Sequence, residues 1–213
     1  MSSIKVLVAQ PVNPNVNLEL WEKNANSIYA SLTFGNKTQG LFKEKVSREG
    51  GKWARTSRSR QMLIDEYLNE DHTHVLWIDA DVVDIDPDII EKLLNISQDS
   101  VVAPYVFLED NNYWPYKRFY DLSCFIDANG EEFNYFPLYN RDSRDKKAEV
   151  ESVGTCFLAP AHIHRSIKYD PFSEEIEHVN FFSKARAKGI KIYADPSIEI
   201  RHAFLPKYGE SFH

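Results

Sequence analysis

The stretch that decides the fold is His74-Val75-Leu76-Trp77-Ile78-Asp79-Ala80-Asp81. It is a short apolar run of strand length that ends in two carboxylates two residues apart. A run without polar alternation fits a strand covered on both faces, the environment of a sheet flanked by helices. Upstream, Ser57–Asn69 carries Met62, Leu63, Tyr67 and Leu68 at helical spacing. Further back, Ile4–Ala9 is another short apolar run, ended by Gln10-Pro11. Between these two, Leu18–Leu32 reads as helix and the polar, glycine-punctuated Gly35–Gly51 as loop.

Downstream, Pro87 opens a helix that runs through Leu94, at the first-turn position proline favours. Val101–Val106 is a strand. Phe125–Phe136 holds Asp127-Ala128-Asn129-Gly130 between aromatic runs, a hairpin signal because Asn-Gly supplies positive φ. Asn140–Glu149 is a charged loop and Val153–Ala159 a strand. Glu174–Lys188 is a helix closed by Gly189, and Ile190–Ala194 and Ile198–His202 are two short final strands. Strands separated by helices imply an α/β protein with a mixed, mostly parallel central sheet and a β-hairpin insertion. Ligands on such sheets bind beyond the carboxyl ends of the strands, where Asp79 and Asp81 fall.

The 213 residues hold 25 Lys and Arg against 32 Asp and Glu, a net charge of −7; 43% are hydrophobic and 27% charged. This is ordinary for a folded chain, and the length implies one domain, residues 1–213. The acidic balance excludes a broad basic face for nucleic acid, though not a small anion held by a few cations. Cys124 and Cys156 lie in apolar runs and read as reduced core thiols. No segment approaches the roughly 18 apolar residues of a membrane span. Met1-Ser2-Ser3-Ile4-Lys5 leads into an apolar run too short for a secretory signal. The expectation is a soluble, cytoplasmic, monomeric protein with no membrane span.

Asp79 and Asp81 carry the sharpest chemical signal. Period-two geometry, or a tight turn after the strand, puts both on one side. Two acids so placed repel unless a cation lies between them, and Mg²⁺ and Mn²⁺ take oxygen ligands and bridge to substrate phosphates. Helix capping is the competing role, better suited to Asp84, Asp86 and Asp88 beside Pro87. A calcium loop starting at Asp84 fails on spacing, because Ile89 and Asn95 stand where Gly and Glu are needed.

Arg55-Thr56-Ser57-Arg58-Ser59-Arg60-Gln61 starts the helix that leads into the Asp79 strand. Arginines at a helix start suit a diphosphate or nucleotide, and equally a solvated basic face paired with local acids. Glu174-Glu175-Ile176-Glu177-His178 precedes an apolar helical face, and the helix dipole accounts for Glu174 and Glu175. His202 ends Ile198-Glu199-Ile200-Arg201, and a lone histidine is more often structural than a ligand. Lys207 lies five residues on. Trp114 and Tyr116 suit either core packing or stacking on a sugar.

In this order, over roughly residues 4–208, the pieces resemble the GT-A class of nucleotide-sugar glycosyltransferases. Asp79-Ala80-Asp81 is similar to its Asp-x-Asp motif, and Ser59-Arg60-Gln61 loosely matches its Ala-Arg-Asn-like helix start. Val153-Gly154-Thr155 resembles its glycine strand, and Glu177 through Ala185-Arg186-Ala187-Lys188-Gly189 its Glu-Asp helix, with His178 in place of the Asp. The compact chain looks closest to the glycosyltransferase domain encoded by chlorella viruses, where such a unit leads a longer polypeptide. A viral origin would put the protein in the host cytoplasm.

The resemblance implies a GT-A (Rossmann-like) fold with a nucleotide-binding half at about 1–110 and an acceptor half at about 111–213. It implies transfer of a hexose or deoxyhexose from a UDP-sugar donor to a glycan acceptor. Asp79, Asp81 and His202 would hold Mn²⁺ or Mg²⁺. Gln10, Pro11, Arg58, Arg60, Asp79, Ala80 and Gly154 would line the donor. Glu177 would serve as base or hold an acceptor hydroxyl, and Lys207 would meet the diphosphate. The His202…Lys207 tail is similar to that of some retaining members, which tilts the expectation to retention. A nucleotidyltransferase is the weaker rival, since Ala9-Gln10-Pro11-Val12-Asn13-Pro14 lacks the glycine-rich loop of those enzymes. A binding module without turnover is the other.

Overall fold

The computed structural model describes residues 4–11, 38–45, 52–83, 85–109, 120, 147–173 and 176–203. The strands are β1 (Ile4–Pro11), β2 (Thr38–Lys45), β3 (His74–Ile78), β4 (Val82–Val83), β5 (Val101–Leu108), β6 (Ala148–Glu149), β7 (Cys156–Pro160) and β8 (Ile192–His202). The helices are α1 (Lys52–Tyr67), α2 (Ile89–Ile96), α3 (Ala161–Ser166) and α4 (Glu177–Ala187). The strands form one sheet in the order β2-β1-β3-β7-β5-β8-β4, with β6 also paired to β8.

The pairings make β1, β2, β3, β5 and β8 point one way, while β7 runs against both β3 and β5. The central sheet is thus mixed with most strands parallel, as the alternation of apolar runs predicts. Alternating residues feed two cores. Leu7, Ala9, Val75 and Trp77 join Leu63 of α1, Ile163 of α3 and Phe181, Phe182 and Ala185 of α4 on one face. Val6, Val8, Leu76 and Ile78 join Ile89, Ile90, Leu93 and Leu94 of α2 on the other. All five residues of β3 are buried, so helices cover both of its faces. Each large side chain fully buried here contributes roughly 1.5–3 kcal/mol.

Helix ends follow local chemistry. α4 closes with Gly189 at φ 79°, its N–H donating to Arg186 O at 2.8 Å while Ile190 N–H reaches back to Ala185 O at 3.2 Å. This crossed pair is the Schellman arrangement, and glycine permits its left-handed residue. Before α2, Asp86 and Asp88 both pair with Lys92, while Asp88 at the N-cap makes no side-chain capping bond. Cys156 is a free, buried thiol.

Several boundaries differ from the sequence reading. Gly35–Gly51 is not all loop: Thr38–Lys45 pairs in parallel with β1 over its whole length. Backbone pairing at a sheet edge recruits such a strand and leaves no apolar period to read. The two expected final strands are one, β8, with a register shift opposite Pro104/Tyr105. There Asp195 accepts from the Ser197 N–H at 2.8 Å, a local turn that lets the strand bulge and resume. α1 begins at Lys52 rather than Ser57, and α2 at Ile89, two residues after Pro87. The expected helix at Leu18–Leu32, the hairpin at Phe125–Phe136, Cys124, Trp114, Tyr116 and Lys207 lie outside the described residues.

Candidate active site

Asp79 and Asp81 stand at the carboxyl end of β3, side chains 32% and 27% exposed. Asp79 N–H donates to Thr155 O at 2.9 Å, and its carbonyl receives Val82 N–H at 3.3 Å, a tight turn that reverses the chain into β4. β4 then pairs antiparallel with the end of β8, Val82 opposite His202. That ladder brings distant sequence together. Ala203 N–H donates to Asp81 O at 2.7 Å, and His202 Nε2 lies 2.9 Å from Asp81 Oδ1. His202 Nδ1 faces the Ala203 carbonyl at 2.9 Å, and the ring of Tyr120 stacks on the imidazole at 3.8 Å. Burial pushes the ring's pKa down. The Asp81 hydrogen bond and charge, the Asp79 charge and the Ala203 carbonyl outweigh it and hold the pKa above the usual histidine range.

Among the described residues no three His, Cys, Asp or Glu side chains converge as a metal cage. The structure instead pairs Asp81 with His202 and turns Asp79 toward Arg60, whose Nη2 is 3.5 Å from Asp79 Oδ1. One carboxylate and one imidazole suit an ion that completes its shell with water and substrate phosphate. The carbonyl at Nδ1 is the outer partner such a histidine ligand needs.

The three arginines of α1 separate. Arg55 is exposed, and Arg58 is half-buried, its guanidinium 5.9 Å from the centre of the exposed Phe172 ring. Arg60 is 1% exposed. It lies three and four residues before Leu63 and Ile64, so it shares their inward face. It donates to Gly154 O at 3.4 Å and approaches Glu177 Oε1 at 3.7 Å, among the rings of Trp77, Phe157 and Tyr169.

Gln10 is fully buried and donates through Nε2 to the Asp79 carbonyl at 3.4 Å, clamping the ends of β1 and β3 together. Pro11 is half-buried at the end of β1; Ala80 and Gly154 are buried.

Glu177, 4% exposed, faces Arg60 on one side and His178 Nδ1 at 3.4 Å on the other. Burial raises its pKa, but the His178 bond and charge and the Arg60 charge prevail and hold it below the usual range. Glu177 Oε2 and His178 Nε2 are buried without a hydrogen-bond partner among the described residues.

The sequence reading missed Tyr120 and the buried His164. Neither carries a local signal, because both act through contacts with distant segments. Arg60's inward position was legible in the spacing to Leu63 and Ile64.

A profile of the Anp1 family matches residues 28–135, just over half of the chain and including Asp79-Ala80-Asp81. The chain belongs to the Anp1 family. These are mannosyltransferase-like glycosyltransferases. No curated protein sequence matches this member.

The fold is shared with solved glycosyltransferases. A Drosophila β1,4-galactosyltransferase 7 in complex with manganese, UDP-Gal and xylobiose matches at TM-score 0.54 and 12% identity, over 98% of this chain and 74% of that one. GalNAc-T7 with UDP, GalNAc and Mn²⁺ matches at TM-score 0.60 and 12% identity, over 95% of this chain and 43% of that one. Staphylococcus aureus TarS 1–349 matches at TM-score 0.57 and 11% identity, over 94% and 60%. This Anp1 member thus spans less than two thirds of two of these three chains. Among its described residues no helix is long and apolar enough to cross a membrane.

Proposed function

We propose that this Anp1-family chain is a metal-dependent transferase that moves a hexose or deoxyhexose from a UDP-sugar to a glycan acceptor, with retention. The observation that carries the reading is the Asp81–His202 pair at the carboxyl end of β3, with Nε2 2.9 Å from the carboxylate and Nδ1 held by Ala203 O. With Nδ1 facing the Ala203 carbonyl as a donor, Nε2 of the neutral ring is an acceptor turned on an acceptor carboxylate, and a cation between the two satisfies both. Asp81, Asp79 and the Ala203 carbonyl all favour positive charge at the ring, against its burial. Asp81 and His202 would hold Mn²⁺ or Mg²⁺, with Asp79 beside them. A bound divalent ion would offset the negative charge that grows on the departing nucleoside diphosphate.

The chain's own residues supply the rest. Gln10 and the turn at Asp79 fix the strand ends against which a nucleotide would lie, within a nucleotide-binding half at about 1–110. Arg58, half-buried on the second turn of α1, is the candidate cation for the diphosphate, joined by Lys207 of the tail. Glu177, at the start of α4 with Oε2 unpartnered among the described residues, is the candidate to hold an acceptor hydroxyl. The finer resemblance to the chlorella-virus domain rests on the order of the sequence motifs.

The test is a panel of nucleotide sugars incubated with Mn²⁺, with release of the nucleoside diphosphate as readout. The expected result is release from a UDP-sugar that EDTA abolishes. Binding of a nucleotide sugar without any release in the presence or absence of glycans would make the chain a binding module instead.

A further inference from the structure

We infer that Arg60 is a positioning residue, a buried cation on which the donor end and the acceptor end of the site are both built. The inference rests on the donor-transfer reading above. Arg60 issues from α1, and its partners come from three other places in the chain. These are Asp79 at the end of β3 (3.5 Å), the Gly154 carbonyl before β7 (3.4 Å) and Glu177 at the start of α4 (3.7 Å). At 1% exposure the guanidinium cannot meet a donor directly. It lies beneath the site, under Asp79 and beside Glu177.

The residue type matters. A planar guanidinium presents five donors in a fixed fork and stacks against rings, whereas an ammonium is a compact point charge on a flexible stem. The ring centres of Trp77, Phe157 and Tyr169 lie 4.8, 5.7 and 5.9 Å from the guanidinium carbon, which holds the fork in place. Its Nη2 thus lies near both the Asp79 carboxylate and the Gly154 carbonyl, and its Nε edge faces Glu177. Asp79 is oriented by Arg60, while Asp81 pairs with His202. Glu177 turns Oε1 to both His178 and Arg60, and its Oε2 has no hydrogen-bond partner among the described residues. A shift of Arg60 would move both carboxylates together.

A purely structural ion pair would show a different behaviour. Buried charge pairs can be replaced by apolar or neutral groups of similar volume with little loss of stability, whereas removing one partner strands the other charge. The comparison needed is therefore among Arg60→Met, Glu177→Gln and the combined variant, with Arg60→Lys as a gentler change. Thermal unfolding and calorimetric binding of UDP in Mn²⁺ are measured for each.

Arg60→Met is expected to lower the unfolding midpoint by roughly 10 °C, because Glu177 and Asp79 lose their shared cation and Glu177 is left buried with His178 alone. Adding Glu177→Gln recovers most of that loss. UDP binding in Mn²⁺ nevertheless stays at least tenfold weaker than in Glu177→Gln alone, because Asp79 has lost its tether. Equal UDP affinity in the combined variant and in Glu177→Gln would overturn the inference and leave Arg60 a partner of Glu177 only. Should the combined variant not fold, Arg60→Lys decides: weaker UDP binding at a near-native midpoint supports the role, and unchanged binding overturns it. A wild-type chain that neither binds UDP in Mn²⁺ nor releases it from any UDP-sugar would overturn the donor-transfer reading itself, and this inference with it.

Discussion

His164 gives a prediction that can be worked from its surroundings. It is 1% exposed on α3 and accepts a hydrogen bond at Nε2 from Trp77 Nε1–H at 3.1 Å. Its ring stacks on Phe181 at 5.0 Å and on Tyr169 at 6.1 Å. Burial pushes its pKa down, with the Arg60 and His162 charges adding to that, from 6.5 to about 3. In the fold it is therefore neutral, while in the unfolded chain it protonates near its ordinary value. The unfolded state binds the extra proton between those two values, so stability is whole above pH 6.5 and declines as pH falls toward 3.

Each unit of pKa difference is about 1.4 kcal/mol, so at pH 4 the wild type has lost about 3 kcal/mol through this group. His164→Gln keeps an acceptor for Trp77 but does not titrate. At pH 7 it should be less stable than wild type by about 1–2 kcal/mol, through lost ring stacking. At pH 4 the difference should move by about 3 kcal/mol in the variant's favour and change sign. Urea unfolding of both proteins at the two pH values measures it, and carboxylates common to both cancel. A stability difference that is the same at pH 7 and pH 4 would refute the buried neutral state of His164.

Other outcomes follow from the same geometry. Asp81→Asn removes the charge that faces His202 and should reduce Mn²⁺-dependent release of the nucleoside diphosphate at least tenfold, read as a Mn²⁺ titration; unchanged activity would remove Asp81 as a metal ligand. Glu177→Ala should lower transfer to acceptor, and full activity would exclude it from catalysis. Gly189→Ala should destabilise by about 1 kcal/mol in a denaturant titration, since φ is 79° but no atom lies within 4 Å of the added carbon. The Cys156 thiol, 1% exposed, should react with a thiol reagent only at the rate of unfolding, and rapid labelling of that residue in the native protein would contradict its burial.

Much of the fold was legible in local pattern. The apolar run of β3 and its neighbours, the helical spacing of α1 and the glycine after α4 each reflect short-range physics: burial on both faces, a 3.6-residue period, a left-handed residue. They were enough to place Asp79 and Asp81 at a strand end, where chemistry is expected. β2 escaped notice because an edge strand is set by backbone pairing. The break in β8 was misread because Asp195-Pro196-Ser197 looks like a turn and is in fact a bulge within one strand.

The division of labour within the site was decided at longer range. Along the chain, Arg58 and Arg60 look alike, and about half a turn of helical phase leaves one half-exposed on α1 and sends the other into the core. Asp79 and Asp81 look like equal ligands. The β4–β8 ladder gives Asp81 to His202, and the approach of α1 gives Asp79 to Arg60. Residue types and strand ends are written locally, so the class of chemistry could be read from them. Which charge meets which depends on pairings between segments more than a hundred residues apart, such as Asp81 with His202 and Arg60 with Glu177, and those exist only once the sheet has closed.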